Sequence, residues 1–162
     1  MSKEPVFHRY VCIHGHFYQP PRENPWLGVV EREEGAAPYQ DWNERITAEC
    51  YAANARSRIL DDQGKVARII NNYEKISFNF GPTLLSWIAG KAPAVSRGIK
   101  TADDRSRSVR GGHGNALSQP YAHVILPLAE PRDLITHIRW GITAFKHTWG
   151  RSPEGGGGCT EP

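Results

Sequence analysis

Three short segments with strand character, each followed by a stretch long enough to form a helix, constrain this chain more than any other feature. The segments are residues 10–13, 75–80 and 123–126. Each is predicted to be a strand, and the apolar first segment is predicted to be buried. Strands that alternate with helices favour right-handed βαβ units and a parallel sheet. We therefore expect an α/β fold that contains three βα units, either half of a barrel or a small open sheet.

The first helix is predicted to begin after Asp41, which is a good N-cap residue. Glu44 follows three positions later, as in a capping box. Apolar residues then recur at helical spacing as far as Leu60. Residues 61–64, Asp-Asp-Gln-Gly, are expected to end this helix.

Two more helices have clear local signals. Pro82 suits the first position of a helix that follows the second strand. Residues 134–149 carry one apolar stripe at helical spacing, and Gly150 is placed to terminate that helix. The polar segment 90–114 is expected to form a helix plus a loop.

Composition excludes several classes of protein. Hydrophobic residues make up 39% and charged residues 23% of the 162 residues, and the formal net charge is only +3. No run approaches the roughly 20 apolar residues of a membrane-spanning helix, and the start of the chain lacks the apolar core of a signal peptide. We therefore expect a cytoplasmic protein that binds neither membrane nor nucleic acid. The three cysteines are widely spaced, which argues against a disulfide framework or a zinc site, and no cofactor or metal is expected.

Polar residues follow the predicted strands at the positions where parallel α/β folds bind ligands. Asn79 ends the second strand. The residues after the first strand are His14, His16, Tyr18 and Gln19, and those around the third are His113, Gln119, Tyr121 and His123. Alternate residues of a strand face the same side, so His14 and His16 could converge on one ligand. A neutral imidazole both donates and accepts hydrogen bonds, as a sugar hydroxyl does. The alternative is that both histidines have structural roles only.

Trp26 lies in a loop that Pro20, Pro21 and Pro25 keep extended. Sugar rings stack well on aromatic faces, so Trp26 could form one wall of a sugar-binding subsite. Packing of the indole against the loop is the equally weighted alternative.

Four long segments resemble the bacterial branch of glycoside hydrolase family 57 that is described as α-amylase/α-mannosidase-like. They are residues 12–26, 37–46, 71–85 and 112–119, the last running on to His123 and to residues 127–128. The resemblance covers nearly the whole chain to Gly155. It implies an incomplete (β/α)7 barrel that acts on α-glucan-like sugars with retention of configuration and without a metal.

The resemblance also implies roles for individual residues. His16, followed by Gln19 and Pro20, is similar to the histidine of the first family motif, which hydrogen-bonds the sugar at the point of cleavage. His123 resembles a family histidine that lines the cleft. The nucleophilic glutamate is expected shortly after Gly155, and Glu161 falls about one residue beyond that position.

The chain departs from the family pattern after residue 155. The family has a strand there that carries the nucleophile, but residues 156–162 form a glycine-rich tail in which four consecutive glycines disfavour a strand. The aspartate that serves as general acid lies far downstream in the family. We therefore expect residues 1–155 to be the amino-terminal part of a glycosidase barrel, followed by an irregular tail.

The favoured hypothesis is a fragment of a retaining glycoside hydrolase or glucan transferase that acts on α-glucan-like oligo- or polysaccharides and is inactive alone. The alternative is a non-catalytic carbohydrate-binding or assembly module. A metal-dependent hydrolase that uses the histidines ranks last, because two histidines are too few for a zinc site. A partial parallel sheet leaves an unpaired edge, through which the chain could self-associate.

Overall fold

A computed structural model describes residues 9–154 of the chain. It is a mixed α/β fold around a two-stranded parallel sheet, in which β1 (His14–Phe17) pairs with β4 (Ser77–Phe80). An isolated parallel bridge between Phe78 and Ala116 extends this sheet on the other side of β4. The parallel pairing agrees with the sequence analysis, but the sheet is not a closed barrel.

The first strand lies four residues later than predicted. Residues 10–13 belong to no strand, and Tyr10 and Val11 are almost fully exposed. The histidines therefore lie inside β1 rather than after it. The prediction was wrong because it assigned the apolar run to the core, whereas it is Phe17 that packs against the buried cluster.

The helical segment after β1 begins as predicted and ends early. α1 (Trp42–Ile46) is capped by Asp41, whose carboxylate accepts from the backbone N–H of Glu44. A wider π-helical turn (Thr47–Tyr51) leads into α2 (Ala52–Ala55).

The helix does not continue to Leu60, because an antiparallel hairpin begins at Ser57. Its strands are β2 (Ser57–Leu60) and β3 (Val66–Ile70), and the turn at residues 61–64, with Gly64 at φ +74°, joins the two strands.

The helices that follow β4 match their sequence signals. α3 (Pro82–Lys91) begins at Pro82, and α4 (Pro93–Val109) occupies most of the polar segment. α5 (Pro131–Trp149) ends at Gly150, which has φ +63° as expected for a C-cap glycine. Among residues 9–154, no helix is both long and apolar enough to cross a membrane.

The predicted third strand is absent at residues 123–126. This segment is irregular and runs into a short 3-10 turn (Leu126–Leu128). The third parallel connection forms at Ala116 instead, because Phe78 N–H donates to the Asn115 carbonyl and Leu117 N–H donates to the Phe78 carbonyl.

A buried ion pair closes the sheet edge at Ala116. Asp103 Oδ1 accepts from the Ala116 N–H at 2.8 Å, and Arg151 Nη2 donates to the Ala116 carbonyl at 3.0 Å. The two side chains also bond to each other through two contacts of 2.9 and 3.1 Å. The pair therefore occupies the two backbone groups that a further strand would use at this position.

The aromatic core lies on one face of the sheet. It contains three phenylalanines of the strands and two tyrosines that pack over them, namely Phe17, Phe78, Phe80, Tyr51 and Tyr73. α5 adds Phe145 and Trp149, but its predicted stripe is only partly buried, since Ile135 and Ile138 stay exposed.

Candidate functional site: a histidine–carboxamide cluster

The side chains of β1 and β4 that point away from the aromatic core meet on the opposite face of the sheet. The parallel register sets His14 beside Ser77 and His16 beside Asn79. Because side chains alternate between faces, these four share one face while Phe17 and Phe80 share the other. The alternation of Ser77-Phe78-Asn79-Phe80 thus produces a polar and an aromatic face from one strand.

Asn79 is the centre of the cluster. Its side chain is 3% exposed and its Nδ2 donates to Gln119 Oε1. Its Oδ1 therefore faces the histidines, at 3.1 Å from His14 Nε2 and 3.0 Å from His16 Nδ1. One carboxamide oxygen accepts from both imidazole rings and fixes their separation.

The hydrogen bonds run in one direction through the cluster. His16 Nδ1 carries the hydrogen that is donated to Asn79, so in neutral His16 the other nitrogen, Nε2, is an acceptor. That nitrogen lies 3.1 Å from His123 Nε2, which must then be the donor. At the far end Gln119 is 6% exposed, and its Nε2 has no hydrogen-bond partner among residues 9–154.

Ring contacts hold His123 in place although it lies in an irregular segment. Its imidazole centroid is 4.3 Å from the ring of Tyr18 and 5.2 Å from that of His16. Tyr18 in turn lies nearly parallel to His16, with 7° between the ring planes. The three rings together form one surface that is both aromatic and polar.

Close backbone packing positions the 119–123 segment. A Cβ at Gly141 of α5 would lie 2.1 Å from the carbonyl oxygen of Gln119, so only glycine permits this approach. The Tyr121 N–H donates to the carbonyl of His137, also on α5, at 3.0 Å. The packing of α5 therefore fixes the positions of Gln119 and of the segment that leads to His123.

A second glycine permits the geometry of β1. A Cβ at Gly15, between the two histidines, would lie 2.6 Å from the Phe17 ring. The Phe17 ring is stacked on Phe80 at 4.7 Å and packs edge-on against Tyr73, so it is held in place. Gly15 therefore allows His14 and His16 to lie on the polar face of β1 while Phe17 packs in the aromatic core.

The structure brings together three of the predicted site residues, His14, His16 and His123. Gln19 bonds to other partners than the cluster: its Oε1 accepts from Arg22 Nη2 at 3.0 Å, and its side chain bonds to Tyr51. Burial raises the pKa of the Tyr51 hydroxyl, which the bond to Gln19 partly opposes.

Trp26 and Glu161 stand apart from this cluster. The Trp26 indole is 91% exposed in the turn of residues 24–29, and its backbone N–H donates to Asn24 Oδ1. Among the described residues it makes no ring contact with the histidines. Glu161, which falls about one residue beyond the position expected for the nucleophile, lies outside residues 9–154.

One member of the cluster, Ser77, was not predicted as a binding residue. Ser77 Oγ lies 3.0 Å from His14 Nδ1. The signal for Ser77 was present in the sequence, because a polar residue two positions before Asn79 shares its face. Gln119 was expected near the third strand, but its bond to Asn79 has no local signal, since its place depends on the packing of α5.

The cluster is uncharged apart from the ionisable histidines. Within residues 9–154 no carboxylate hydrogen-bonds to it, and no group of three or more His, Cys, Asp or Glu side chains converges as a metal site would require. Its chemistry is that of paired donors and acceptors on a partly exposed surface. Comparison of the chain with profiles of protein families, with curated proteins and with solved structures finds no match to any of them.

Proposed function

We propose that the histidine–carboxamide cluster binds the hydroxyl groups of an α-glucan-like oligosaccharide, as one part of the substrate cleft of a retaining glycoside hydrolase or glucan transferase. The observation that carries the proposal is that His14 and His16 both bond to Asn79 Oδ1 on one sheet face, while His123 bonds to the far nitrogen of His16. From the resemblance to glycoside hydrolase family 57, we expect two of these residues, His16 and His123, to contact the sugar.

The bonding capacity of the cluster fits a neutral polyol. A sugar hydroxyl donates one hydrogen bond and accepts others, as the two nitrogens of a neutral imidazole do. The ring nitrogens of His14 and His16 bond within the cluster, so a hydroxyl would replace one of these bonds or meet Nδ1 of His123, which has no hydrogen-bond partner among residues 9–154. His14 and His16 are exposed on their outer sides while Asn79, which orients them, is buried. A ligand could therefore meet rings that are already fixed, which lowers the entropy cost of binding.

Hydrolysis needs more than this cluster supplies. Retaining glycosidases use two carboxyl groups about 5 Å apart, and among residues 9–154 none bonds to the cluster. We therefore propose binding without turnover for this chain. The same observation favours the second candidate, a non-catalytic carbohydrate-binding or assembly module.

Calorimetric titration with maltohexaose tests the binding. We expect weak saturable binding that His16→Ala abolishes, because the variant loses both the bond to Asn79 and the contact to His123. His113→Ala is the matched control: His113 is an exposed histidine that pairs with Glu154 and lies outside the cluster. Absence of binding in the unmodified chain, or equal loss in both variants, contradicts the proposal.

Release of reducing ends from the same oligosaccharide separates the two candidates. No turnover is expected from the unmodified chain. Turnover that disappears in Glu161→Gln would show that this residue acts as the nucleophile, and it would remove the non-catalytic module from consideration.

A further inference from the structure

A groove of about 580 Å³ lies between α3, α4 and α5, and none of the cluster side chains lines it. Pockets that bind small molecules have volumes of about 300–1,000 Å³, so the groove has a suitable size. Its floor is apolar, with Leu85 of α3 and Ala144 of α5 among the lining residues.

One wall of the groove is aromatic. Trp140 of α5 is a large aromatic side chain, yet it is 56% exposed. Its ring meets that of Tyr121 edge-on, with the centroids 5.6 Å apart and the planes at 85°. Tyr121 is itself tied to α5 through the carbonyl of His137. The indole is therefore held against one neighbour while more than half of its surface remains available for stacking.

Lysine is the source of positive charge in the groove. Lys100 of α4 lines it, and no acidic side chain does so in the part of the chain that the structure describes. Lys100 also lacks an ion-pair partner there, whereas two other cations of α4 have one. Arg105 bonds to Glu74, and Arg107 lies near Asp104.

We propose that this groove binds a small ring compound that carries an anionic group. The ring stacks on Trp140 and packs against the apolar floor, and the anion lies at the ammonium group of Lys100. Apolar area supplies most of the affinity, and the single cation selects anionic over neutral ligands. The inference is independent of sugar binding at the histidines.

Two fluorescent dyes with the same ring system test the proposal on the full chain. 1-Anilinonaphthalene-8-sulfonate carries the anion, and N-phenyl-1-naphthylamine lacks it. We expect one saturable site that binds the sulfonate about fivefold more tightly than the neutral dye, as one partly exposed ion contact provides. The preference should weaken as salt concentration rises.

Matched variants locate the site. Lys100→Gln should lower sulfonate affinity about fivefold and leave the neutral dye unchanged, while Lys91→Gln, at the exposed end of α3 outside the groove, should alter neither. Trp140→Ala should weaken both dyes, and Trp26→Ala, which removes an exposed indole elsewhere, should weaken neither.

Circular dichroism of each variant confirms that the fold is kept. Equal affinity for the two dyes, or equal effects of Lys100→Gln and Lys91→Gln, would overturn the proposal. Dye binding that none of the four variants changes would overturn it as well, because the dyes would then bind nonspecifically to apolar surface outside this groove.

Discussion

The two faces of the β1–β4 sheet have opposite chemistry although the same eight residues form both. On one face Phe17, Phe78 and Phe80 pack among buried tyrosines. On the other, His14 and His16 bond to Asn79 and keep exposed outer edges. Stability and the proposed ligand binding therefore depend on alternate residues of the same strands, and we expect that they can be perturbed separately.

The two faces also differ in what remains after a side chain is shortened to alanine. Phe78 is fully buried, with the rings of Tyr73, Phe80 and Trp149 within 6 Å of its own. Removing its ring leaves a cavity that the held neighbours cannot fill. Water can replace the exposed ring of His16, so the loss there is one of bonding geometry.

The largest expected effect is a separation of stability between the two faces. Phe78→Ala should lower the free energy of unfolding by about 4 kcal/mol, the typical cost of such a cavity. His16→Ala should lower it by less than about 1 kcal/mol, as for most exposed positions. Urea denaturation of both variants measures the difference. Similar losses would mean that the polar face stabilises the fold as much as the aromatic one.

The next expected effect concerns the edge of the sheet at Ala116, where a charged pair replaces apolar packing. Asp103→Asn should cost about 3 kcal/mol, because it leaves the buried guanidinium of Arg151 without its carboxylate. Asp104→Asn is the control on the same helix. Asp104 is mostly exposed and 3.9 Å from Arg107, so its loss should cost less than about 0.5 kcal/mol.

Thermal or urea unfolding of the two aspartate variants checks this second comparison. A loss in Asp103→Asn no larger than that in Asp104→Asn would show that the amide can cap Ala116 as well as the carboxylate does. The edge would then need hydrogen bonds but no charge.

Features with local causes could be predicted from the sequence. Asp41 caps α1, Pro82 begins α3 and Gly150 ends α5, because each of these residues acts through its own backbone and its nearest neighbours. The strand predicted at residues 75–80 is likewise confirmed, as β4 spans Ser77–Phe80. These signals do not depend on what the element later packs against.

Features that depend on tertiary partners were predicted poorly. Residues 10–13 and 123–126 have the composition of buried strands, yet Val11 is exposed and the second segment is irregular. The hairpin β2–β3 was missed because helical spacing continued by chance as far as Leu60. The meeting of His123 with His16 likewise depends on how α5 packs on Gln119, which no local pattern encodes.

The smallest expected effect is a pH dependence confined to the aromatic face. Tyr73 is fully buried, and its hydroxyl donates to the carbonyl of Tyr51 at 3.2 Å. Burial raises the pKa of Tyr73 above its ordinary value of about 10, and the neighbouring Cys50 and Tyr51 raise it further. The neutral hydroxyl thus stabilises the fold fully below pH 10, and this contribution is lost as pH rises through the folded-state pKa.

Tyr73→Phe should therefore have opposite consequences at neutral and at alkaline pH. At pH 7 the variant should be less stable by about 1 kcal/mol, the net contribution of one hydrogen bond. Above pH 10 the unfolded wild-type chain gains stability by ionising this tyrosine, by up to about 1.4 kcal/mol per pH unit. The difference in unfolding free energy between the two proteins should shrink and then reverse near pH 11. His16→Ala, on the polar face, should stay parallel to the wild type from pH 9 to 11.5, because Tyr73 is intact in that variant. A constant difference for Tyr73→Phe over that range would mean that Tyr73 is not shielded from water as its burial implies.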